Sequence, residues 1–316
     1  MQDLQLEELY KNSDFRKNVI HWYPVKENSS VLQIGYDSIK IVEELCDKFE
    51  KVTICVNNEE DKKEILGKYS DSEITIIDNL DKIPEREENY NISINEYIGR
   101  SVFTVTPKNK ETNGKVILYL HGGAYVGELG IEHWNFVGNL TNDTNSTIVL
   151  PDYPLAPKYT YKDVFNMIEP LYKEIVDKVG AQNVILMGDS AGGGMSLALL
   201  EKIALESEYE MPSKTILISP WLDVRLTNPE IDKVQKNDKE LNKESLKLAG
   251  IAYAGNDGIN NYLVNPIDGD LSKLKNITIF TGTYDILNPD VHVFEEKAIT
   301  KITETLELYI NSKAFK

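Results

Sequence analysis

Val184-Ile185-Leu186-Met187-Gly188-Asp189-Ser190-Ala191-Gly192 reads as a short apolar strand that runs directly into a tight turn. The residues that follow, among them Met195, Leu197, Leu199, Leu200 and Ile203, read as an apolar helix. G-x-S-x-G between a strand and a helix is the setting of a nucleophile elbow. So tight a turn excludes bulk two residues before and two after the serine, where Gly188 and Gly192 stand. It lifts the hydroxyl above a sheet, and the helix N-terminus favours negative charge developing there. A glycine-rich turn kept only for packing is the ordinary alternative, so the flanking segments decide between the two.

Outward from the elbow, the chain alternates apolar runs with helical patterns. Val116 to Leu120, Thr147 to Leu150, Thr215 to Ile218, Ile277 to Thr281 and Leu306 to Ile310 are near-continuous apolar runs like Val184 to Met187. Strands without a polar face are buried on both sides, as in a parallel sheet covered by helices. Helices are expected over Tyr161 to Val179, Ala191 to Glu206, Lys243 to Ala252 and Asp290 to Thr303, and a loop over Ala254 to Asp270. Nearer the N-terminus, Val31 to Gly35, a helix over Ile39 to Phe49, Lys51 to Val56 and Ile74 to Ile77 form a small Rossmann-like α/β unit. The charged stretch Asp81 to Tyr90 joins it to the larger unit, so we divide the chain into residues 1–90 and 91–316.

Three more segments follow strands in the larger unit. His121-Gly122-Gly123-Ala124-Tyr125 comes after Val116 to Leu120, and its small residues let backbone N–H groups point into a site, as in an oxyanion hole. The alternative is an ordinary glycine turn; His121 reads as a loop-shaping residue rather than a base. Asp152-Tyr153-Pro154-Leu155-Ala156-Pro157 follows the next strand. Gly282-Thr283-Tyr284-Asp285-Ile286-Leu287 places Asp285 at the carboxyl end of the sheet and downstream of the serine. An aspartate there is often only a turn or helix cap.

With SPWLD at Ser219 to Asp223, these motifs stand together and in order, and the chain resembles the hormone-sensitive-lipase family, the bacterial family IV esterases, from about Val116 to Thr300. The resemblance implies an α/β-hydrolase fold with a mostly parallel sheet of eight strands, and hydrolysis of short acyl esters. It implies Ser190 as nucleophile and Asp285 as the acid of the triad, with the N–H groups of Gly122, Gly123 and Ala191 holding the oxyanion. Tyr125, Asp189 and Tyr153, which stand in the same motifs, are expected to touch substrate. A fainter likeness links Val31 to Asp78 to the opening of a methyltransferase, although its glycine loop is reduced to Gly35-Tyr36-Asp37-Ser38.

One part of the family pattern is not met. The resemblance implies a histidine in the loop after the last strand, to take the serine proton and return it to the leaving alcohol. The residues after Ile310 are Asn311-Ser312-Lys313-Ala314-Phe315-Lys316. Of the other histidines, His292 lies in an expected helix, His133 near the oxyanion loop and His21 in the N-terminal unit. Truncation and real loss stay equally open, and loss of the base lowers kcat by up to roughly a million-fold. A non-catalytic ligand-binding protein, as the plant gibberellin receptors resemble, is therefore the alternative reading.

The composition narrows the partners. With 34 basic and 51 acidic residues the net charge is −17, which repels nucleic acid and anionic lipid. No apolar run reaches the roughly 20 residues that span a bilayer. Cys46 and Cys55 lack zinc-ligand spacing and suit a reducing cytoplasm, and four histidines in all make an all-histidine metal site unexpected. We therefore expect a small ester or apolar ligand as partner, neither cofactor nor metal, a cytoplasmic location, and a homodimer as an open oligomeric state.

Overall fold

The computed structural model describes residues 30–34, 51–56, 59–69, 74–78, 90–108, 110–206, 209–256, 258–301 and 306–311. The helix expected over 39–49, the Gly35 turn, His21 and nearly all of the charged joint lie outside these residues.

Strands β1 (Ser30–Ile34), β2 (Lys51–Val56) and β3 (Ile74–Asp78) pair in parallel in that order, with helix α1 (Glu59–Leu66) between the second and third. The main sheet has eight strands: β4 (Tyr90–Tyr97), β5 (Arg100–Pro107), β6 (Val116–Leu120), β7 (Thr147–Pro151), β8 (Val184–Asp189), β9 (Lys214–Ile218), β10 (Ile277–Gly282) and β11 (Leu306–Asn311). Their order is β11-β10-β9-β8-β6-β7-β5-β4. All neighbours are parallel except β4 with β5 and β5 with β7. The connecting helices are α2 (Ile131–Thr144), α3 (Tyr161–Val179), α4 (Ser190–Glu206), α5 (Glu230–Gln235), α6 (Lys243–Ala254) and α7 (Asn288–Ile299).

The uniform apolarity of the central strands has its cause in how they are covered. Along β6, Leu118 and Leu120 join a core cluster with Phe165 and Ile168 of α3 and Leu197 of α4. Ile117 and Tyr119, on the other face, join a second cluster with Trp134 and Val137 of α2. Alternate side chains therefore enter two separate cores, and each fully buried aliphatic residue contributes roughly 1.5–3 kcal/mol. Helix α3 buries Tyr161, Val164, Phe165, Ile168, Leu171, Tyr172 and Ile175 at helical spacing. A capping box opens it, with the Thr160 backbone N–H donating to Asp163 Oδ2 at 2.8 Å.

Two features depart from expectation. The hairpin β4–β5 was not legible as strands, because the turn residues are Ile98 (φ 52°) and Gly99 (φ 72°). Two left-handed residues make the turn that suits a hairpin, but it ordinarily carries Asn or Asp where Ile98 stands. Within the expected loop over 254–270, Pro266–Asp268 closes a single 3-10 turn, and another follows at Leu271–Lys273.

Candidate active site

The register of β8 between β6 and β9 brings the sharp turn after Asp189 to the carboxyl end of the sheet. Ser190 sits at that turn with φ 50°, a left-handed conformation that a side-chain-bearing residue adopts at a cost of about 1–3 kcal/mol. The crossing is close. A Cβ on Gly192 would lie 1.9 Å from the Leu120 carbonyl oxygen, and one on Gly188 would lie 2.4 Å from that of Gly192. These contacts are why the elbow needs glycine two positions either side of the serine. The Trp221 N–H donates to the Ser190 carbonyl at 2.9 Å, tying the elbow to the segment after β9.

The loop after β6 runs beside the elbow. Gly123 (φ 111°), Ala124 (φ 49°) and Tyr125 (φ 67°) are left-handed in succession. The Gly122 N–H donates to Asp189 Oδ1 at 2.9 Å, and the Tyr119 hydroxyl donates to the same oxygen at 2.6 Å. The N–H of Gly122, expected to hold the oxyanion, is engaged here by the residue before the serine. The backbone N–H groups of Gly123 and Ala124 meet no acceptor among the described residues. That of Ala191, in the first turn of α4, has no intrahelical acceptor. Ala124 was not among the expected donors, because in the sequence only the two glycines signal a backbone donor.

Tyr125 and Tyr153, expected to touch substrate, pack inward. Both are buried in the core and neither borders the cavity beside Ser190. Tyr125 stacks on Tyr253 with ring centroids 3.7 Å apart. Tyr153 stacks on His121 at 4.2 Å, and its hydroxyl donates to the His121 carbonyl at 2.6 Å. The Ala156 N–H donates to the Tyr125 carbonyl at 2.9 Å. Asp152 to Pro157 is thus the brace that holds the loop in its left-handed path. Arg100 anchors the brace, its Nε donating to the Asp152 carbonyl at 2.8 Å and its guanidinium pairing with the Asp152 carboxylate at 3.0 Å.

A cavity of about 200 Å³ lies at the elbow. Ser190, Ser219, Asp189, Asp238, Glu240 and Asp285 border it together with the apolar residues Ile218, Leu241 and Leu287. The expected pair of Ser190 and Asp285 thus borders one space, and Asp189 borders it too while bracing Gly122. Asp285 is only 7% exposed, and its Oδ1 accepts the Leu287 N–H at 2.8 Å. Burial pushes its carboxyl up to about 6, with Asp238 and Glu240 adding to the rise and the Leu287 N–H opposing it. Asp238 is structural: it accepts the N–H groups of Glu240, Leu241 and Ile286, at 3.0, 2.9 and 2.9 Å.

None of the three described histidines borders this cavity. His121 is fully buried with Nδ1 2.6 Å from the Gly122 carbonyl, and burial lowers its pKa to about 3, so it stays neutral and shapes the loop. His133 accepts the Gly130 N–H on Nδ1 at 2.9 Å, which puts its proton on Nε2, 3.7 Å from Asp189 Oδ2. His292 faces Glu295 along α7, with Nδ1 to Oε2 at 3.4 Å. Among the described residues no cluster of side chains is arranged to hold a metal ion. No described helix is long and apolar enough to cross a membrane.

A mostly parallel eight-stranded sheet with a serine on a strained strand-to-helix turn at its carboxyl end defines an α/β-hydrolase. Residues 117–309 match the family model described as the alpha/beta hydrolase fold, and the chain belongs to that family. It is 34% identical over 188 residues to an esterase of Acinetobacter venetianus, covering 58% of this chain and 61% of that protein. It is 30% identical over 206 residues to a triacylglycerol lipase of Mycobacterium tuberculosis, covering 65% of this chain and 42% of that protein. The chain thus spans less than two thirds of the length of either relative. A crystal structure of a candidate esterase from Staphylococcus aureus superposes with a TM-score of 0.69 at 26% identity, covering 88% of this chain and 85% of that one.

Proposed function

We propose that this protein is a carboxylic ester hydrolase of the hormone-sensitive-lipase type, acting on short acyl esters through Ser190. The observation that carries the reading is Ser190 itself, held left-handed at the head of α4 and bordering the same cavity as the buried Asp285. The N–H groups of Gly123, Ala124 and Ala191 are the donors for the oxyanion, and each such donor stabilises the transition state by about 2.7–4 kcal/mol. In the reaction, Ser190 Oγ bonds to the ester carbonyl carbon, and the proton it gives up is the one that the departing alcohol oxygen takes. The carbonyl oxygen takes the charge, and the alcohol departs with a proton to leave an acyl-serine that water hydrolyses. The names of the esterase and lipase relatives point the same way.

The same reading keeps the division at residue 90, supported by the separate pairing of β1 to β3 and the start of the main sheet at Tyr90. It assigns the protein to a reducing cytoplasm, supported by the presence of only two cysteines in the sequence. Hydrolysis of p-nitrophenyl butyrate and labelling by a fluorophosphonate test the central claim. Ser190 is expected to carry the label, and Ser190→Ala to lose both label and turnover. An unlabelled Ser190, with equal hydrolysis by the two proteins, overturns it.

A further inference from the structure

The geometry points to Ser219 as a positioning residue, whose buried hydroxyl donates to the Asp285 carboxylate and holds it in place on the border of the cavity it shares with Ser190. This role deepens the ester-hydrolase reading above and rests on it for its kinetic readout.

Ser219 follows β9 in a left-handed conformation, φ 42°, and directly precedes Pro220. That conformation is unfavourable for a residue with a side chain, and a proline next in sequence pushes its predecessor towards extended backbone. It persists because the segment is clamped from both sides. The Ser219 N–H donates to the Phe280 carbonyl of β10 at 2.6 Å. Pro220 lies against Gly193 of α4, where an added Cβ would come within 2.9 Å of it, and the Trp221 N–H donates to the Ser190 carbonyl at 2.9 Å. Strain held this firmly at the end of a sheet that carries a site serves to aim a side chain. The side chain aimed here is a hydroxyl on the border of the cavity with Ser190 and Asp285.

That hydroxyl has no other task. Its oxygen is buried and makes no hydrogen bond at ordinary geometry. It nonetheless stands near enough to Asp285 to oppose the effect of burial on the carboxyl, as the Leu287 N–H does. Asp285 depends on such donors. The other ionisable groups on the cavity border, Asp189, Asp238 and Glu240, are all acidic, and Asp238 and Glu240 push the Asp285 carboxyl further up. Asp285 Oδ1 accepts the Leu287 N–H at 2.8 Å, which leaves Oδ2 for a second donor. A hydroxyl hydrogen rotates to suit its acceptor, whereas the Leu287 N–H is fixed in the backbone. Of the two hydroxyls on the border, that of Ser190 gives up its proton in the reaction, so the one that stays on Asp285 throughout is that of Ser219.

The experiment compares the wild type with Ser219→Gly and Ser219→Ala. Glycine takes φ 42° freely, so Ser219→Gly removes the hydroxyl and the backbone strain together, while Ser219→Ala removes the hydroxyl alone. Both variants are expected to lose about tenfold in kcat/KM for p-nitrophenyl butyrate on the acid side, with the acid limb of the pH profile moved up by about one pH unit. Ser219→Gly should do so at an unchanged or higher Tm. The carboxyl-carbon NMR signal of Asp285, identified by its absence in Asp285→Asn, should titrate higher in both variants by the same amount. A signal that titrates at the same pH in all three proteins overturns the role, whatever the kinetics. So does a shifted signal with an unmoved acid limb, which confines the hydroxyl to the fold. No Ser190-dependent turnover in the wild type overturns the hydrolase reading instead, and the carboxyl titration then decides whether Ser219 still holds Asp285.

Discussion

Asp189 illustrates how little of a residue's role follows from its place in a motif. Its position before the serine marks it as a substrate contact, yet its carboxylate is the acceptor on which Tyr119 and the Gly122 N–H converge. The environment favours the charged form: although burial opposes it, the nearby His133 and Tyr119 groups hold the Asp189 carboxyl below its usual range. Asp189→Ala should free Gly122 and loosen the loop that presents Gly123 and Ala124. We expect kcat for p-nitrophenyl butyrate to fall by about 10- to 100-fold, with KM changed far less, as for loss of an interaction made only in the transition state. A matching rise in KM would instead place Asp189 on the substrate. Gly192→Ala acts on folding. Its Cβ would meet the Leu120 carbonyl oxygen at 1.9 Å and that of His121 at 2.5 Å, both rigid backbone. A loss of at least about 1–3 kcal/mol is expected from overpacking, measurable as a lower urea midpoint at unchanged slope.

At the scale of elements, the amphipathic pattern of Tyr161 to Val179 and its Thr160 cap leave helix α3 little alternative, and it forms over those residues. The hairpin β4–β5 is the opposite case, since its turn residue contradicts the turn. Ile98 is 65% exposed and holds φ 52°, so its side chain contributes little packing to offset a strained backbone. Ile98→Asn should relieve that strain, since Asn tolerates the left-handed conformation. We expect a gain of about 1 kcal/mol, seen as a rise of a few degrees in Tm. An unchanged or lower Tm would show that the flanking strands dictate the turn regardless of its residue.

At the scale of the whole molecule, charge is the governing quantity. The net charge is −17, and one acid is also buried with neither carboxylate oxygen partnered among the described residues. Glu201 of α4 is fully buried, with both carboxylate oxygens unpartnered among the described residues and its Oε2 close against Gly269. Burial, with Asp270 and Asp268 nearby, pushes its carboxyl from 4.5 up to about 9. The folded state thus keeps a proton that the unfolded chain releases. This group's contribution to stability is greatest below about pH 4.5 and declines as pH rises towards 9. Glu201→Met removes the burden with an apolar side chain of similar length. At pH 8 it should raise stability by about 1–3 kcal/mol and flatten the fall in Tm between pH 5 and 9. An equally steep fall in the variant would place the titrating acid elsewhere, with Asp285 and Asp290, both raised to about 6, the next to replace.

The sequence by itself determined the six strands β6 to β11, the four helices α3, α4, α6 and α7, and the position of the elbow. Those features answer to local rules. Strands buried on both faces must be apolar along their length, and the turn must have glycine at 192, where the Leu120 backbone crosses it, and at 188, where the Gly192 carbonyl closes on it. Ser190 and Asp285 border one cavity for the same reason, since both follow strands at one end of the sheet. Tertiary structure alone decided which loop N–H groups are free. The register of β6 beside β8 sets Asp189 under Gly122, and no local pattern encodes a register between strands more than 60 residues apart. It also decided that Tyr125 and Tyr153 pack inward, because their stacking partners, Tyr253 and His121, arrive from distant parts of the chain. Side chains in one motif share a stretch of sequence, but only packing decides which of them faces the cavity.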